Sequence, residues 1–245
     1  MPRYDPTESI VSRSLEELGL ITDWLAAGKG RGATVLVGGW AVHAYNPWYG
    51  SVDIDLVTNS RTKNTLKNFL KTERGYGSHK IPGILNTVSK ETDDGEIIVD
   101  FIARRAQPFE GTSKKLNFDV PEERTVSMPL GEGVSAVVPT RGTLLLMKMK
   151  AGWDRTYRLE KGTSPDPEWD RSKAVKDRAD ILALLDPEHG GTDIDLAFLG
   201  DALERFDFLK GWLARLPDDR DGVEKYGRMD ATEARRVVDR LLGLL

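Results

Sequence analysis

A short apolar run that ends on two glycines, Val35-Leu36-Val37-Gly38-Gly39, constrains this chain more than any other feature. It reads as a buried strand breaking into a turn where the backbone must come close to something. A phosphate is the natural candidate. Residues Ala41 to Tyr45 then begin a helix whose free N–H groups and positive dipole end face that turn. After thirteen intervening residues Gly39 is followed by Asp53-Ile54-Asp55 between apolar positions. Side chains alternate along a strand, so Asp53 and Asp55 project to one side while Val52, Ile54 and Leu56 face the core. Two carboxylates roughly 7 Å apart along a strand suit hard divalent cations such as Mg²⁺.

A third carboxylate lies on a later strand. Glu96-Ile97-Ile98-Val99-Asp100-Phe101-Ile102 is a β-branched run with Asp100 at its centre, and Thr92-Asp93-Asp94-Gly95 before it reads as a hairpin turn. Buried and unpaired, Asp100 would cost several kcal/mol; beside Asp53 and Asp55 it completes a site that bridges two cations. Taken singly, these signals have plainer readings. An Asp-x-Asp on an edge strand is usually a solvated face, and a Gly-Gly is usually a turn. Their order along the chain favours the cation site.

The pattern of apolar residue, Gly-Gly, thirteen residues, Asp-x-Asp and a later strand Asp resembles the DNA polymerase β-like nucleotidyltransferase superfamily, over Val35 to about Ile102. Where many members carry serine this chain has Gly39, so the backbone must serve in place of a hydroxyl. A second block, Leu144 to Arg155 followed by Lys176-Asp177-Arg178-Ala179-Asp180, resembles the helical half of AbiEii-type nucleotidyltransferases. The resemblance implies that Asp53, Asp55 and Asp100 hold Mg²⁺ or Mn²⁺, and that Gly38, Gly39 and Trp40 form the nucleotide-binding turn. It further implies that Lys148 and Arg155 bind the nucleotide phosphates and that Asp177 completes the active-site wall. Without that resemblance Lys148 and Lys150 read as lysines snorkelling from a surface helix, the commoner fate of lysine, and Asp180 as the ion-pair partner of Arg178 or Lys176.

The activity so implied is transfer of a nucleoside monophosphate from ATP or another nucleoside triphosphate to a hydroxyl, with release of pyrophosphate. Asp100 is the better candidate than any histidine for activating that hydroxyl. An AbiEii-like enzyme would act on tRNA as a toxin with a cognate antitoxin protein. A small-molecule acceptor such as an antibiotic, or a protein acceptor, is compatible with the same core. A non-catalytic nucleotide- or RNA-binding module is the reading from a different class, against which the three aspartates argue.

Composition sets bounds on these readings. The 245 residues suffice for a real core, and the absence of cysteine excludes disulfides, a thiolate nucleophile and a cysteine zinc site. No apolar stretch approaches membrane-spanning length and the N-terminus reads as no signal peptide, so no membrane partner and a cytoplasmic location are expected. With a net charge of −4 the whole chain is no general nucleic-acid binder. Locally, Lys63, Lys67, Lys71 and Arg74 recur at helical spacing after Ser60, read as the helix cap. The stripe suits a phosphate backbone or is a solvated helix face.

The expected fold class is α+β, a nucleotidyltransferase-type mixed β-sheet flanked by helices and followed by a C-terminal helical domain, with a catalytic domain at 1–138 and a helical domain at 139–245. A first helix starts at Asp5-Pro6 and stops near Gly28-Lys29-Gly30. Strands are expected at Gly32–Val37, Ile84–Val88, Glu96–Arg104 and Gly133–Val138. Helices are expected at Leu144–Ala151, Ser172–Leu185, Asp195–Leu216 and Asp230–Leu245, the last with Asp230 and Glu233 as a capping box. Gly162 to Pro167 reads as a loop bordering the active-site mouth. Trp40, Trp48 and Tyr49 bracket the glycine turn, as stacking surfaces or as core.

Overall fold

Alternation in the strand Gly95–Ala103 (β5) sets the architecture of the first half: Ile97, Val99 and Phe101 are buried while the residues between them are partly exposed. The computed structural model describes residues 6–29, 33–78 and 86–245. It divides into two units, one of residues 6–106 and 117–139, the other of 107–116 and 140–245. Asp5, Gly30 and Gly32, and the start of the strand expected at Ile84, lie outside the described residues.

In the first unit the chain begins with α1 (Glu8–Trp24), then β1 (Val35–Val37), α2 (Gly38–Tyr45), β2 (Ile54–Thr58), α3 (Ser60–Glu73), β3 (Gly77–Ser78) and β4 (Thr87–Thr92) before β5. Thr7, two residues beyond the expected Asp5, caps α1 by accepting from the Ile10 N–H at 3.4 Å. Past Trp24 the helix loosens into a turn ending at Lys29, in which Gly28 takes φ +72°. The side chain of Asn59, rather than Ser60, caps α3 by accepting from the Thr62 N–H.

Five strands form one mixed sheet in the order β1-β2-β5-β4-β3. β1 runs antiparallel to β2, β2 parallel to β5, and β5 antiparallel to β4. The tight turn at Asp93-Asp94 closes the β4–β5 hairpin with Thr92 opposite Gly95. Leu18 and Ile21 of α1, Leu66 and Leu70 of α3, and Ile54, Leu56, Val88 and Val99 of the sheet are at most 2 % exposed and make the core.

The chain continues through a short ribbon, β6 (Ala106–Pro108) with β7 (Lys115–Asn117), to the hairpin β8 (Thr125–Gly131) and β9 (Val134–Pro139), the latter packed against β1 and α1.

The second unit is helical: α4 (Arg141–Lys161), α5 (Pro167–Leu185), α6 (Leu196–Arg205), α7 (Phe208–Ala214), α8 (Arg220–Tyr226) and α9 (Ala231–Leu244). Both α4 and α5 exceed the expected bounds, so only residues 162–166 link them. Gly162 closes α4 in the left-handed conformation, and the side chain of Asp166 caps α5 with Pro167 at its first turn. The single helix expected at Asp195–Leu216 is broken between α6 and α7. Phe206 and Phe208 both pack on Phe109, which two positions of one continuous helix would not allow, since they point to different faces. Those same contacts place segment 107–116 with the helices instead of with the sheet. At the far end the capping box forms as expected, Asp230 accepting from the Glu233 N–H and Glu233 from the Asp230 N–H. No helix among the described residues is long and apolar enough to cross a membrane.

Candidate active site

Parallel pairing of β2 with β5 puts Asp55 in register with Asp100. Register partners on neighbouring strands lie on the same face of a sheet, about 4.8 Å apart between strands. Their flanking pairs, Ile54 with Val99 and Leu56 with Phe101, are buried on the opposite face. The two carboxylates therefore stand side by side on the half-exposed face. The Thr87 hydroxyl, opposite Asp100 on β4, donates to Asp100 Oδ1.

Gly38 is demanded by its neighbours. Its φ is +70°, and a Cβ built there would overlap Asp55 Oδ2. β1 reaches this point with Val37 opposite Asp55, so the glycine turn and the carboxylate are brought together by strand pairing. Gly39 follows, buried, in the first turn of α2. A Gly38→Ala variant is expected to lose about 1–2 kcal/mol from the left-handed backbone alone. Displacing Asp55 should also weaken uptake of Mg²⁺ or Mn²⁺ at the Asp55–Asp100 pair. Thermal melting and calorimetry check this, and unchanged values for both would show that the turn tolerates a side chain.

Asp53 stands half-exposed just before β2, where the Ser51 hydroxyl donates to its backbone carbonyl. Among the described residues no group of three His, Cys, Asp or Glu side chains is placed to hold a metal ion, so the expected cluster of Asp53, Asp55 and Asp100 is not preassembled. Asp100 accepts from the Thr87 hydroxyl, and Asp55 Oδ2 fills the place a Cβ on Gly38 would need. The adjacent pair still fits Mg²⁺ or Mn²⁺ chemically. Hard cations of this size are commonly held by one or two carboxylates together with substrate phosphates, and need no all-protein cage.

Trp40 has a core ring, 1 % exposed, with Nε1 donating to the Ser14 hydroxyl at 3.0 Å and the ring edge-on to His43. The Ser14 hydroxyl in turn donates to the Val52 carbonyl. Stacking of this indole on a base is thereby corrected; only its backbone N–H belongs to the turn. Burial holds the His43 imidazole below its ordinary pKa, in keeping with a packing role. Trp48 and Tyr49 stack on one another at 5.0 Å.

In the helical unit Lys148, Arg155, Asp177 and Asp180 form a single network. Lys148 Nζ donates to Asp180 Oδ2 at 2.6 Å and to Asp177 Oδ1 at 3.3 Å, and Arg155 donates to Asp177 Oδ2. Lys176, which no sequence signal singled out beyond its spacing four before Asp180, donates to both Asp180 oxygens at 3.1 and 2.9 Å. Asp180 is 1 % exposed, not a helix-surface residue. Burial pushes its carboxyl up, but Lys148 and Lys176 outweigh that and hold it below the usual range. Burial in turn drives Lys176 down, with Asp180 offsetting part of the effect. Neither Lys148 nor Lys150 snorkels from a surface helix, the alternative reading of both. Lys150 is 6 % exposed, ion-paired to Asp154 and donating to the Pro108 carbonyl.

The stripe on α3 is modified by its surroundings. Arg74 turns to Glu17, while Lys63 donates to Asn86 and Lys71 to Ser78. Partial burial and the charges of Lys71 and Lys63 lower the Lys67 pKa.

No family model matches this chain, and no curated protein does. Among solved structures it is similar to the antibiotic-resistance factor ANT(2'')-Ia, whose solution structure reveals substrate-regulated conformation dynamics. That likeness has 14 % identity and a TM-score of 0.41, over 81 % of this chain and 97 % of that one.

Proposed function

We propose that the chain is a nucleotidyltransferase that moves a nucleoside monophosphate from a nucleoside triphosphate to a hydroxyl acceptor and releases pyrophosphate, with Mg²⁺ or Mn²⁺ as its cation. The observation that carries this reading is the in-register pair Asp55 and Asp100 beside a glycine turn whose close approach leaves no room for a side chain. A divalent cation bound there supplies neutralisation of the triphosphate charge. Gly38 and Gly39 admit the phosphates to the backbone N–H groups at the start of α2. Asp100, oriented by Thr87, takes the proton of the attacking hydroxyl, and Asp53 and Asp55 would hold the cation. The family resemblance would give Lys148 and Arg155 to the nucleotide phosphates; within the helical unit both are paired with carboxylates. In this reading Asp177 and Asp180 orient them.

A polyanionic acceptor such as tRNA is favoured by Lys63, Lys67 and Lys71, whose mutual repulsion a phosphate backbone would relieve. A cognate antitoxin belongs to that reading. The deciding experiment incubates the chain with each α-labelled nucleoside triphosphate and, separately, total tRNA, an antibiotic panel and a protein lysate. Label is expected to pass to tRNA with Mg²⁺ present and to vanish with EDTA. Label in the antibiotic or protein arm would reassign the acceptor. Equal nucleotide affinity with and without EDTA, or label in no arm, would overturn the activity.

A further inference from the structure

The helical unit contains a cavity of about 400 Å³ that the proposed activity does not use, within the range of small-molecule sites. Leu185, Ile194 and Leu196 line it from one side, and Met229, Val237 and Leu241 of the segment leading into and along α9 from the other. Leu244, which also lines it, is 57 % exposed.

The polar groups around this apolar floor are not equally available. Asp186, 3 % exposed, accepts from the Glu188 N–H and the Tyr226 hydroxyl and lies 3.2 Å from His189 Nδ1, so its oxygens serve the wall itself. Glu233 is occupied by the capping box of α9. Arg228 lies 3.0 Å from His189 Nε2. Arg236 and Arg240 differ from these. They are exposed, one helical turn apart beside Val237 and Leu241, and no carboxylate of the described residues forms an ion pair with either.

We propose that this cavity binds a small amphipathic carboxylate, its apolar body on the leucine floor and its head on Arg236 and Arg240. Guanidinium forks match a carboxylate in two-point geometry, and the pair is spaced to share one head group. A singly charged head suits the site better than a phosphate dianion, because Glu188, Asp186 and Glu233 line the same cavity and repel the second charge.

Titration calorimetry on the whole chain tests this with decanoate, decanol and decyl phosphate, against Arg236→Gln/Arg240→Gln and Leu196→Trp variants. Decanoate should bind saturably at one site, and lose about tenfold or more in affinity in the double arginine variant, since a hydrogen bond to a charged group is worth at least that factor. The indole of Leu196→Trp should fill the floor and block binding. Decanol should bind at least about tenfold more weakly than decanoate for the same reason. Tighter binding of decyl phosphate would overturn the carboxylate assignment. Non-saturable uptake, equal binding of decanol, or no effect of the arginine changes would overturn the site. Both arginines are exposed, so that variant decides the matter even where Leu196→Trp melts without cooperativity. None of these readouts involves nucleotide transfer, so failure here and failure of the proposed activity are distinguishable.

Discussion

Asp180→Asn should destabilise the protein by about 3–5 kcal/mol, the usual cost of removing one partner from a buried ion pair. The change leaves the ammonium groups of Lys148 and Lys176, 7 % and 5 % exposed, beside a neutral amide. Asp177 still faces Lys148, but at the longer 3.3 Å and shared with Arg155, so it does not replace the lost charge. Urea denaturation followed by circular dichroism measures the effect, and a loss below about 1 kcal/mol would mean that water reaches the cluster. Adding Lys176→Met should recover part of the loss, because it removes one of the stranded cations. A pH signature follows from the lowered carboxyl of Asp180. Its stabilisation is complete above the ordinary carboxylate range and is lost as pH falls through the folded-state value. The asparagine variant should therefore show a shallower acid limb than the parent.

Asp55→Asn and Asp100→Asn should each reduce nucleotide transfer by on the order of 100- to 1000-fold or more, the scale set by deleting one electrostatic contact in a preorganised site. Stability should not fall with activity. The two carboxylates are register neighbours of like charge, and neutralising one relieves repulsion, so melting temperatures should hold or rise. Single-turnover transfer of label, measured beside thermal melting, separates the outcomes. Substantial turnover in both variants would place the chemistry elsewhere; loss of cooperative melting would make the pair structural. Asp53→Asn, outside the strand, should have a smaller effect on cation affinity than Asp55→Asn.

Much of this site was legible in the residues because strand pairing is local arithmetic. The Thr92–Gly95 turn closes the hairpin, and counting back equally from each side of it brings Thr87 opposite Asp100. Alternation alone put Ile97, Val99 and Phe101 in the core and Asp100 on the other face. The capping box of α9 likewise depends on short-range chemistry, Asp230 with Glu233, whereas α5, expected from Ser172, starts at Pro167 behind Asp166.

What only tertiary structure decided involves partners distant in sequence. The parallel pairing of Asp55 with Asp100 joins residues 45 positions apart, and no turn sets that register. Trp40 becomes core because Ser14, on the first helix, receives its indole N–H. α5 buries Asp170, Lys173, Lys176, Asp177 and Asp180 together with its apolar residues, so its periodicity gave the helix at Ser172–Leu185 but not which charges lie inside. Lys148, for which a surface lysine is the alternative reading, and Asp180 are buried, because Lys148 on α4 meets Asp177 and Asp180 on α5. Periodicity reports which face a residue occupies; whether that face meets solvent or an opposite charge is settled by the element packed against it.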